Sequence, residues 1–393
     1  MSYRHNVVRP RRPWMVALVA ASALLLGACG ADNGATSSTS NGGTSGAALP
    51  ASLPSLTELG KGTEQSPPTS GPPAKPGVAV AFVSCGQVSP GCSEPPAGLD
   101  AAAKELGWTT STLDGKFNVG GGYATALHQA ISQKPGAIAM AGIDCAQIKQ
   151  PLEEAKAAGI PVFSMLGSDC DASGGEKLFA AEPIYRTGVT TAAQWYEQWG
   201  RQKAQYLIRK LNGHVRLINV RFNDTLPSLN EGVTKELATC SDCTIVADVA
   251  VGTADAANPQ GPIVPGVKSA LLQHPDANAL LVPFDTQLVT TGLLQAVKNS
   301  SAGRKLVVTG GEGSPTGIEA LKGGPPPTAI VGYSAEWMGW ALADTINRHL
   351  NGAALAPEGF GTRVVEQDHA PSGDRYEPAV DFKAAYRKAW GIG

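Results

Sequence analysis

Short apolar runs alternate with helical patterns from residue 77 onwards, and this alternation constrains the fold more than any other feature of the chain. The first series begins with GVAVAFVS (77–84) and ends with IPVFSML (160–166). A second series begins with HVRLINVRF (214–222) and ends with TAIVGYS (328–334). Continuous apolar strands separated by amphipathic helices are typical of parallel sheets that are covered on both faces. The sequence therefore predicts an α/β protein with two similar, doubly wound parallel-sheet lobes.

The first 28 residues have the pattern of a secretory signal. Four arginines precede an apolar run from Trp14 to Leu26, and no acidic residue occurs before Asp32. The run is shorter than the roughly 20 apolar residues that span a bilayer. It ends in LGAC (26–29), which resembles a bacterial lipobox and implies cleavage before Cys29, with lipid attached to that residue. An ordinary signal that happens to contain a cysteine is the alternative.

Residues 29–75 are rich in Ser, Thr, Gly and Pro and contain few large apolar residues. Such a composition buries too little apolar surface to offset the entropy of ordering, so we expect a flexible, disordered tether. An O-glycosylated stalk is also compatible with this composition.

The folded part is expected to span 76–393, which is more than a single core usually supports. Removing the signal changes the net charge from −2 to −6, because four arginines and no acidic residues are lost. No basic stripe or Lys/Arg block occurs, which argues against a nucleic-acid partner.

Six cysteines remain besides Cys29. Sequence alone allows fifteen connectivities, but proximity suggests Cys85 with Cys92 and Cys240 with Cys243. Cys145 and Cys170 each follow an apolar strand, and neighbouring parallel strands would bring them within bridging distance. The CSDC segment (240–243) has no second CxxC and no nearby His pair, which argues against zinc. A redox site there is the other alternative, although an exported chain favours structural disulfides.

Three segments resemble periplasmic binding proteins of the ribose-binding type. They are AGIDCAQIKQPLEEAKAAGIPVFSM (141–165), HPDANALLVPFDTQLVTTGLLQAVKNS (274–300) and the region from KLVVTGGEGSPTGIEALKGG to HLNG (305–352). The resemblance implies two lobes joined by a three-strand hinge. Lobe 1 would be 76–182 with 334–356, and lobe 2 would be 183–333 with 357–393.

The same resemblance implies a monomeric solute receptor of an ABC importer, with no cofactor, no metal and no reaction. Together with the lipobox it places the protein on the outer face of a bacterial membrane, where it would bind a small solute and meet a permease. A receptor that reports to a membrane kinase would use the same fold and is an alternative.

In open α/β sheets, ligands bind beyond the carboxyl ends of the strands, and these ends supply the candidate ligand-binding residues. They are Ser84, Cys85, Phe117, Asn118, Asp144, Arg221, Phe222, Asp285, Glu312 and Tyr333. By resemblance, Asp144 and Asp285 would accept hydrogen bonds from ligand hydroxyls, and capping of the following helices is their structural alternative. Glu312 stands where the family usually has aspartate, and Tyr333 where glutamine is common.

Two departures from the family pattern bear on the solute. The arginine that grips sugar hydroxyls is missing near Pro227, and VGTADAANPQG (251–261) lacks the usual aromatic residue. A ligand that is more apolar or differently charged is therefore an alternative to a simple sugar. A hydrolase built on GYSAE (332–336) is a further alternative, although the segment lacks the final glycine of a nucleophile elbow.

Overall fold

The structure is a computed structural model and describes residues 49–392. Within them the strands are Ala79–Ser84 (β1), Thr109–Asp114 (β2), Ala137–Ala141 (β3), Val162–Met165 (β4), Val215–Phe222 (β5), Cys243–Val251 (β6), Ala279–Leu281 (β7), Val307–Gly310 (β8), Ala329–Gly332 (β9) and Arg363–Glu366 (β10). The α-helices are Leu56–Lys61 (α1), Pro90–Leu106 (α2), Gly122–Ser132 (α3), Cys145–Ala157 (α4), Ala192–Lys210 (α5), Pro227–Leu237 (α6), Ile263–Gln273 (α7), Leu293–Asn299 (α8), Pro315–Lys322 (α9), Ala335–Leu350 (α10) and Phe382–Ala389 (α11).

Two sheets carry the fold, and they repeat one strand order. The first sheet has the order β2-β1-β3-β4, and all of its neighbours are parallel. The second has the order β10-β9-β8-β7-β5-β6, which is parallel except for the β9–β10 pair. The predicted α/β fold with two parallel-sheet lobes is confirmed. The chain reverses its direction of winding between β1 and β3 and between β5 and β7, so ligand sites are expected beyond those strand ends.

In each lobe a pair of helices meets through glycines. In lobe 1, α2 and α10 touch at Gly98 and Gly339, where an added Cβ would overlap the backbone of the partner helix. In lobe 2, α5 and α6 meet in the same way at Gly200 and Gly232. These contacts bring the helix axes close together and fix how the helices cover the sheets.

The chain crosses between the lobes in three places. One crossing follows β4, where Ala181 bridges to Phe163 of the first sheet and Ile184 bridges to Pro357. The second is the short link from β9 to α10, and the third follows α10 and includes Pro357. Aromatic rings pack around these segments, with centroid separations of 5.2 Å for Trp195 and Tyr333 and 5.5 Å for Trp195 and Phe360.

Residues 49–75 do not form the flexible tether that we expected. Leu53 and Leu59 are buried, and the α1 helix packs on β10 and α5. The segment then runs towards lobe 1, where Asn347 donates to the carbonyl of Pro72 and Trp108 donates to that of Lys75. Composition alone concealed this because only a few apolar residues hold the segment, and its other contacts are polar, such as those of the Glu64 carboxylate with Tyr376 and Ala379. We call residues 49–75 the strap.

The C-terminal helix α11 also lies elsewhere than expected. Its Phe382 ring stacks on Trp337 of α10 at 5.1 Å, and Arg387 donates to Glu105 of α2 at 2.7 Å. Residues 382–390 therefore pack on lobe 1, whereas β10 remains in the sheet of lobe 2. The reason is an apolar stripe on α11 that matches the aromatic side of α10.

Three disulfides staple the described residues: Cys85–Cys92, Cys145–Cys170 and Cys240–Cys243. The Cys240–Cys243 bond uses both thiols of the CSDC segment. In residues 49–392 no helix is both long enough and apolar enough to cross a membrane. The signal segment and Cys29 lie outside the described residues.

Candidate functional site

The winding reversals of the two sheets face each other across a cavity between the lobes. Cys85 and Gly142 follow β1 and β3 of lobe 1, while Phe222 ends β5 and Phe284 follows β7 in lobe 2, and all four line the cavity. The cavity measures about 80 Å³. Ligand pockets usually measure about 300–1,000 Å³, so the lobes must separate to admit a solute.

Aromatic side chains dominate the walls of this cavity. They are Phe117, Tyr123, Tyr196, Phe222, Phe284 and Tyr333. Phe117 lies in a turn in which three successive residues have left-handed backbone angles, with φ of 52° at Lys116, 50° at Phe117 and 58° at Asn118. Such strain in residues other than glycine concentrates at ligand clamps and other functional sites.

Two hydrogen bonds close the cleft across the lobes. Ser89 of lobe 1 and Thr286 of lobe 2 place their hydroxyl oxygens 2.5 Å apart. On another side of the cleft, the Thr225 hydroxyl donates to Oδ2 of Asp144 at 2.7 Å. Both bonds exist only when the lobes approach each other, so opening the cleft frees four polar groups.

Among the described residues, Glu312 is the one carboxylate that lines the cavity. Its side chain is 2% exposed, and Oε2 accepts a hydrogen bond from the Asp285 backbone at 2.8 Å. Oε1 is buried and has no hydrogen-bond partner in residues 49–392. An added Cβ at Gly91 of lobe 1 would lie 2.5 Å from this atom, so the oxygen points across the cleft towards the first turn of α2.

A buried lysine and aspartate hold the loop that carries Glu312. Lys203 donates to the carbonyls of Pro283, Gly310 and Gly311 at 3.1–3.3 Å and so ties together the ends of β7 and β8. Asp285 accepts from the backbone of Gly313 and from the backbone and hydroxyl of Ser314, each at 2.9 Å. Neither charge lines the cavity; both position its wall.

Burial also changes the acidity of these groups. Burial, followed by the nearby Asp285 carboxylate, raises the pKa of Glu312 well above its usual value. Burial raises the pKa of Asp285 despite the hydrogen bonds from Ser314 and Gly313. Burial lowers the pKa of Lys203 to about 7, although both carboxylates oppose this shift. Three ionisable groups thus share one desolvated region beside the cleft.

Five of the ten predicted ligand-binding residues line the cavity, and the other five do not. Cys85, Phe117, Phe222, Glu312 and Tyr333 line the cavity. The others do not: Ser84 donates to the Cys92 carbonyl, Asn118 lies in its own turn, and Asp285 faces the loop after β8. Arg221 pairs with Asp248 at 3.4 Å, and Asp144 bridges the lobes. Arg221 and Asp144 line a wider groove of about 1,170 Å³ beside the cavity.

Sequence reasoning missed several lining residues. Ser89 lies inside the Cys85–Cys92 loop, and Thr286 directly follows Asp285. Both are therefore close in sequence to predicted site residues. Tyr123, Tyr196 and Met338 lie on helices and carry no motif. Their role depends on how the lobes close, which no local pattern encodes.

The hydrolase alternative does not fit the structure. The Ser334 hydroxyl accepts from the Trp337 backbone at 3.2 Å and caps α10. It is therefore committed to a helix end and is not displayed on a strained turn.

Solved structures with the same fold are numerous, although no curated protein sequence matches the chain. GanP, a glucose-galactose binding protein from Geobacillus stearothermophilus, has a TM-score of 0.62 and 17% identity, over 76% of this chain and 100% of its own. The periplasmic component of the arabinose ABC transporter of Shewanella sp. ANA-3, bound to L-arabinofuranose, has a TM-score of 0.58 and 20% identity, over 80% and 97%. The XylFII-LytSN complex has a TM-score of 0.58 and 16% identity, over 76% and 100%.

A family model described as a periplasmic binding protein domain matches residues 80–354, which is most of the chain. That span includes both sheets up to β9, the first two crossings and every residue that lines the cavity. Proteins of this family bind solutes outside the cytoplasm and catalyse no reaction, in agreement with the expectation of a binding protein. The chain belongs to the periplasmic binding protein domain family.

Proposed function

We propose that the protein is a monomeric solute receptor that captures a sugar or sugar-like solute between its lobes and presents the closed form to an ABC permease. The observation that carries this proposal is the cavity at the facing strand ends, closed by the Ser89–Thr286 and Asp144–Thr225 hydrogen bonds. Structural neighbours solved with or named for glucose, galactose and arabinose support the choice of solute class.

Capture follows from the hinge. The three crossings allow the lobes to separate by rotation of a few residues, which is how paired domains close on ligands. Aromatic walls then pack on the apolar face of a sugar ring. Closure around the solute buries it between the lobes, so a permease can distinguish the loaded form by its shape.

Thermal unfolding of the full-length protein with D-glucose, D-galactose, L-arabinose and D-tagatose tests this proposal. A solute at 1,000 times its dissociation constant adds about 4.1 kcal/mol of stability, which raises Tm by several degrees. Phe117→Ala should reduce that shift because it removes part of the cavity wall. Val119→Ala is the matched control, since Val119 is exposed in the same turn. No shift with any of these four would refute each of these neutral sugars as the solute.

The proposed membrane anchor has its own test. We propose that lipid on Cys29 holds the protein at the outer face of a bacterial membrane. Cys29→Ser should move the protein from the membrane fraction to the soluble fraction, because the variant would carry no acyl chain to hold it in the bilayer. A Cys29→Ser protein that stays in the membrane fraction would contradict a lipid anchor.

A sensing role is the second candidate. The XylFII-LytSN structure shows a neighbour with this fold in complex with a second protein. Cross-linking in the native membrane distinguishes the two roles: recovery of a permease supports transport, and recovery of a receptor kinase supports sensing.

A further inference from the structure

Most hydroxyls around the cavity are already bonded within the protein. Ser89 and Thr286 contact each other, and the Tyr196 hydroxyl donates to the Leu166 carbonyl. The hydroxyls of Thr225 and Thr253 donate to aspartate side chains. Among the described lining residues, the remaining hydroxyls are the phenols of Tyr123 and Tyr333. In the closed form, most hydroxyls of the wall have already used their single donor and offer a ligand only acceptor lone pairs, so a ligand that brings its own donors fits this wall best.

The Glu312 carboxylate differs from these hydroxyls because one of its oxygens has no hydrogen-bond partner among the described residues. Oε1 of Glu312 is buried, unpartnered within residues 49–392 and directed across the cleft towards Gly91, while Oε2 of the same group is held by the Asp285 backbone. A buried acceptor without a partner carries a desolvation penalty, which a ligand donor would remove. A cationic donor within hydrogen-bond reach favours the ionised form of this carboxyl against the effect of burial. Hydrogen bonds that involve charged groups are roughly twice as strong as neutral ones, so a cationic donor satisfies this oxygen best.

The cavity walls also favour a positively charged ligand. Six aromatic side chains line the cavity, and the faces of aromatic rings attract cations. Among the described residues that line the cavity, none is Lys, Arg or His. The nearest buried cation, Lys203, is committed to three backbone carbonyls. Nothing in the described wall would neutralise an anionic solute.

Resting on the proposed role of the cleft as a solute site, we infer that the solute carries a protonated amine that donates to Oε1 of Glu312, while its apolar ring face packs on the aromatic walls. An amino sugar satisfies both conditions, and so does a small aromatic amine. The inference narrows the solute class from sugar-like molecules in general to cationic ones.

Calorimetric titration of the full-length protein with matched pairs tests the inference. The pairs are D-glucosamine with D-glucose and benzylamine with benzyl alcohol; N-acetyl-D-glucosamine and D-glucuronate test the loss and the reversal of charge. We expect the amine to bind at least 10-fold more tightly than its neutral partner in at least one pair. Glu312→Gln should abolish that preference, and Glu312→Asp should retain part of it. Glu319→Gln, on the exposed face of α9, should leave it unchanged.

The possible outcomes test the amine assignment separately from the proposed capture of a sugar. If neutral sugars bind as tightly as their amines, or if Glu312→Gln keeps the preference, the amine assignment is wrong while sugar capture stands. If only benzylamine binds, the amine assignment holds and the sugar class falls. Failure of every amine to bind overturns the inference, and failure of the whole panel counts against sugar capture as well.

Discussion

Two buried charges shape the lobe-2 wall without touching the cavity. Lys203 gathers three carbonyls at the ends of β7 and β8, and Asp285 gathers the Gly313 and Ser314 amides. Each satisfies backbone groups that the strand ends would leave unpaired. Together they fix the loop from which Glu312 enters the cleft, so the position of the ligand-facing carboxylate depends on charges behind it.

Asp285→Asn should lower the free energy of unfolding by about 2–3 kcal/mol, because hydrogen bonds to a buried charge are lost and an amide nitrogen is left unpaired. Asp224→Asn is the matched control: Asp224 also accepts from a backbone amide and a hydroxyl, both of Thr253, but it is exposed. Water replaces the lost bonds there, so we expect under about 1 kcal/mol. Urea unfolding measures both variants, and equal losses would contradict a special role for the buried carboxylate.

Residue roles were only partly readable from the sequence. The strand-end rule placed candidates at the correct edge of each sheet, because parallel strands expose their carboxyl ends together. The rule does not say where a side chain turns. Asp285 turns towards Gly313 and Ser314 of the loop after β8, whereas Glu312 crosses towards Gly91 of the other lobe.

At the scale of elements, the glycine contacts between helices set the lobe geometry. Gly232 of α6 lies against the Glu197 carbonyl of α5, and Gly339 of α10 lies against Leu99 of α2. A methyl group has no room at either contact, since interiors are close-packed. The same solution in both lobes reflects one strand order that is covered by equivalent helices.

Gly232→Ala should destabilise the protein by about 1–3 kcal/mol through overpacking, although alanine has the higher helix propensity. Gly60→Ala in α1 provides the control, since an added Cβ would meet only the Val364 carbonyl at 3.9 Å. There the better helix propensity should act alone and stabilise by up to about 1 kcal/mol. Calorimetric melting measures the stability of both variants, and we expect the two changes in stability to have opposite signs. An unchanged stability of Gly232→Ala would refute the close contact.

The sequence predicted most elements of the two sheets because their strands are continuous apolar runs. It did not predict β10, which is short and has charged residues at both ends, or the start of α2 at Pro90, where two internal prolines concealed the helix. It also missed the packing of α11 on lobe 1. That contact depends on Trp337 and Trp340 presenting a face to a distant helix, and such tertiary information has no local signal.

At the scale of the whole molecule, the strap adds a connection that the three crossings do not supply. In lobe 2, the Thr63 amide donates to the Thr362 carbonyl at 2.8 Å. In lobe 1, Arg348 donates to the Ser70 carbonyl at 2.7 Å, and the Lys75 amide donates to Asn347 at 3.0 Å. The intervening residues are rich in proline, which stiffens the path. A stiff connection on both lobes resists their separation.

Deleting the strap should therefore affect both stability and closure. A protein of residues 76–393 loses the buried Leu53 and Leu59, which together contribute about 3–6 kcal/mol. Its Tm should fall relative to residues 49–393, which keep the strap and are the matched control. Spin labels at the exposed Val119 and Leu272 should report a longer and broader inter-lobe distance without the strap. An unchanged distance with a lower Tm would make the strap a purely stabilising element; a shift in both would show that it restrains the opening of the cleft.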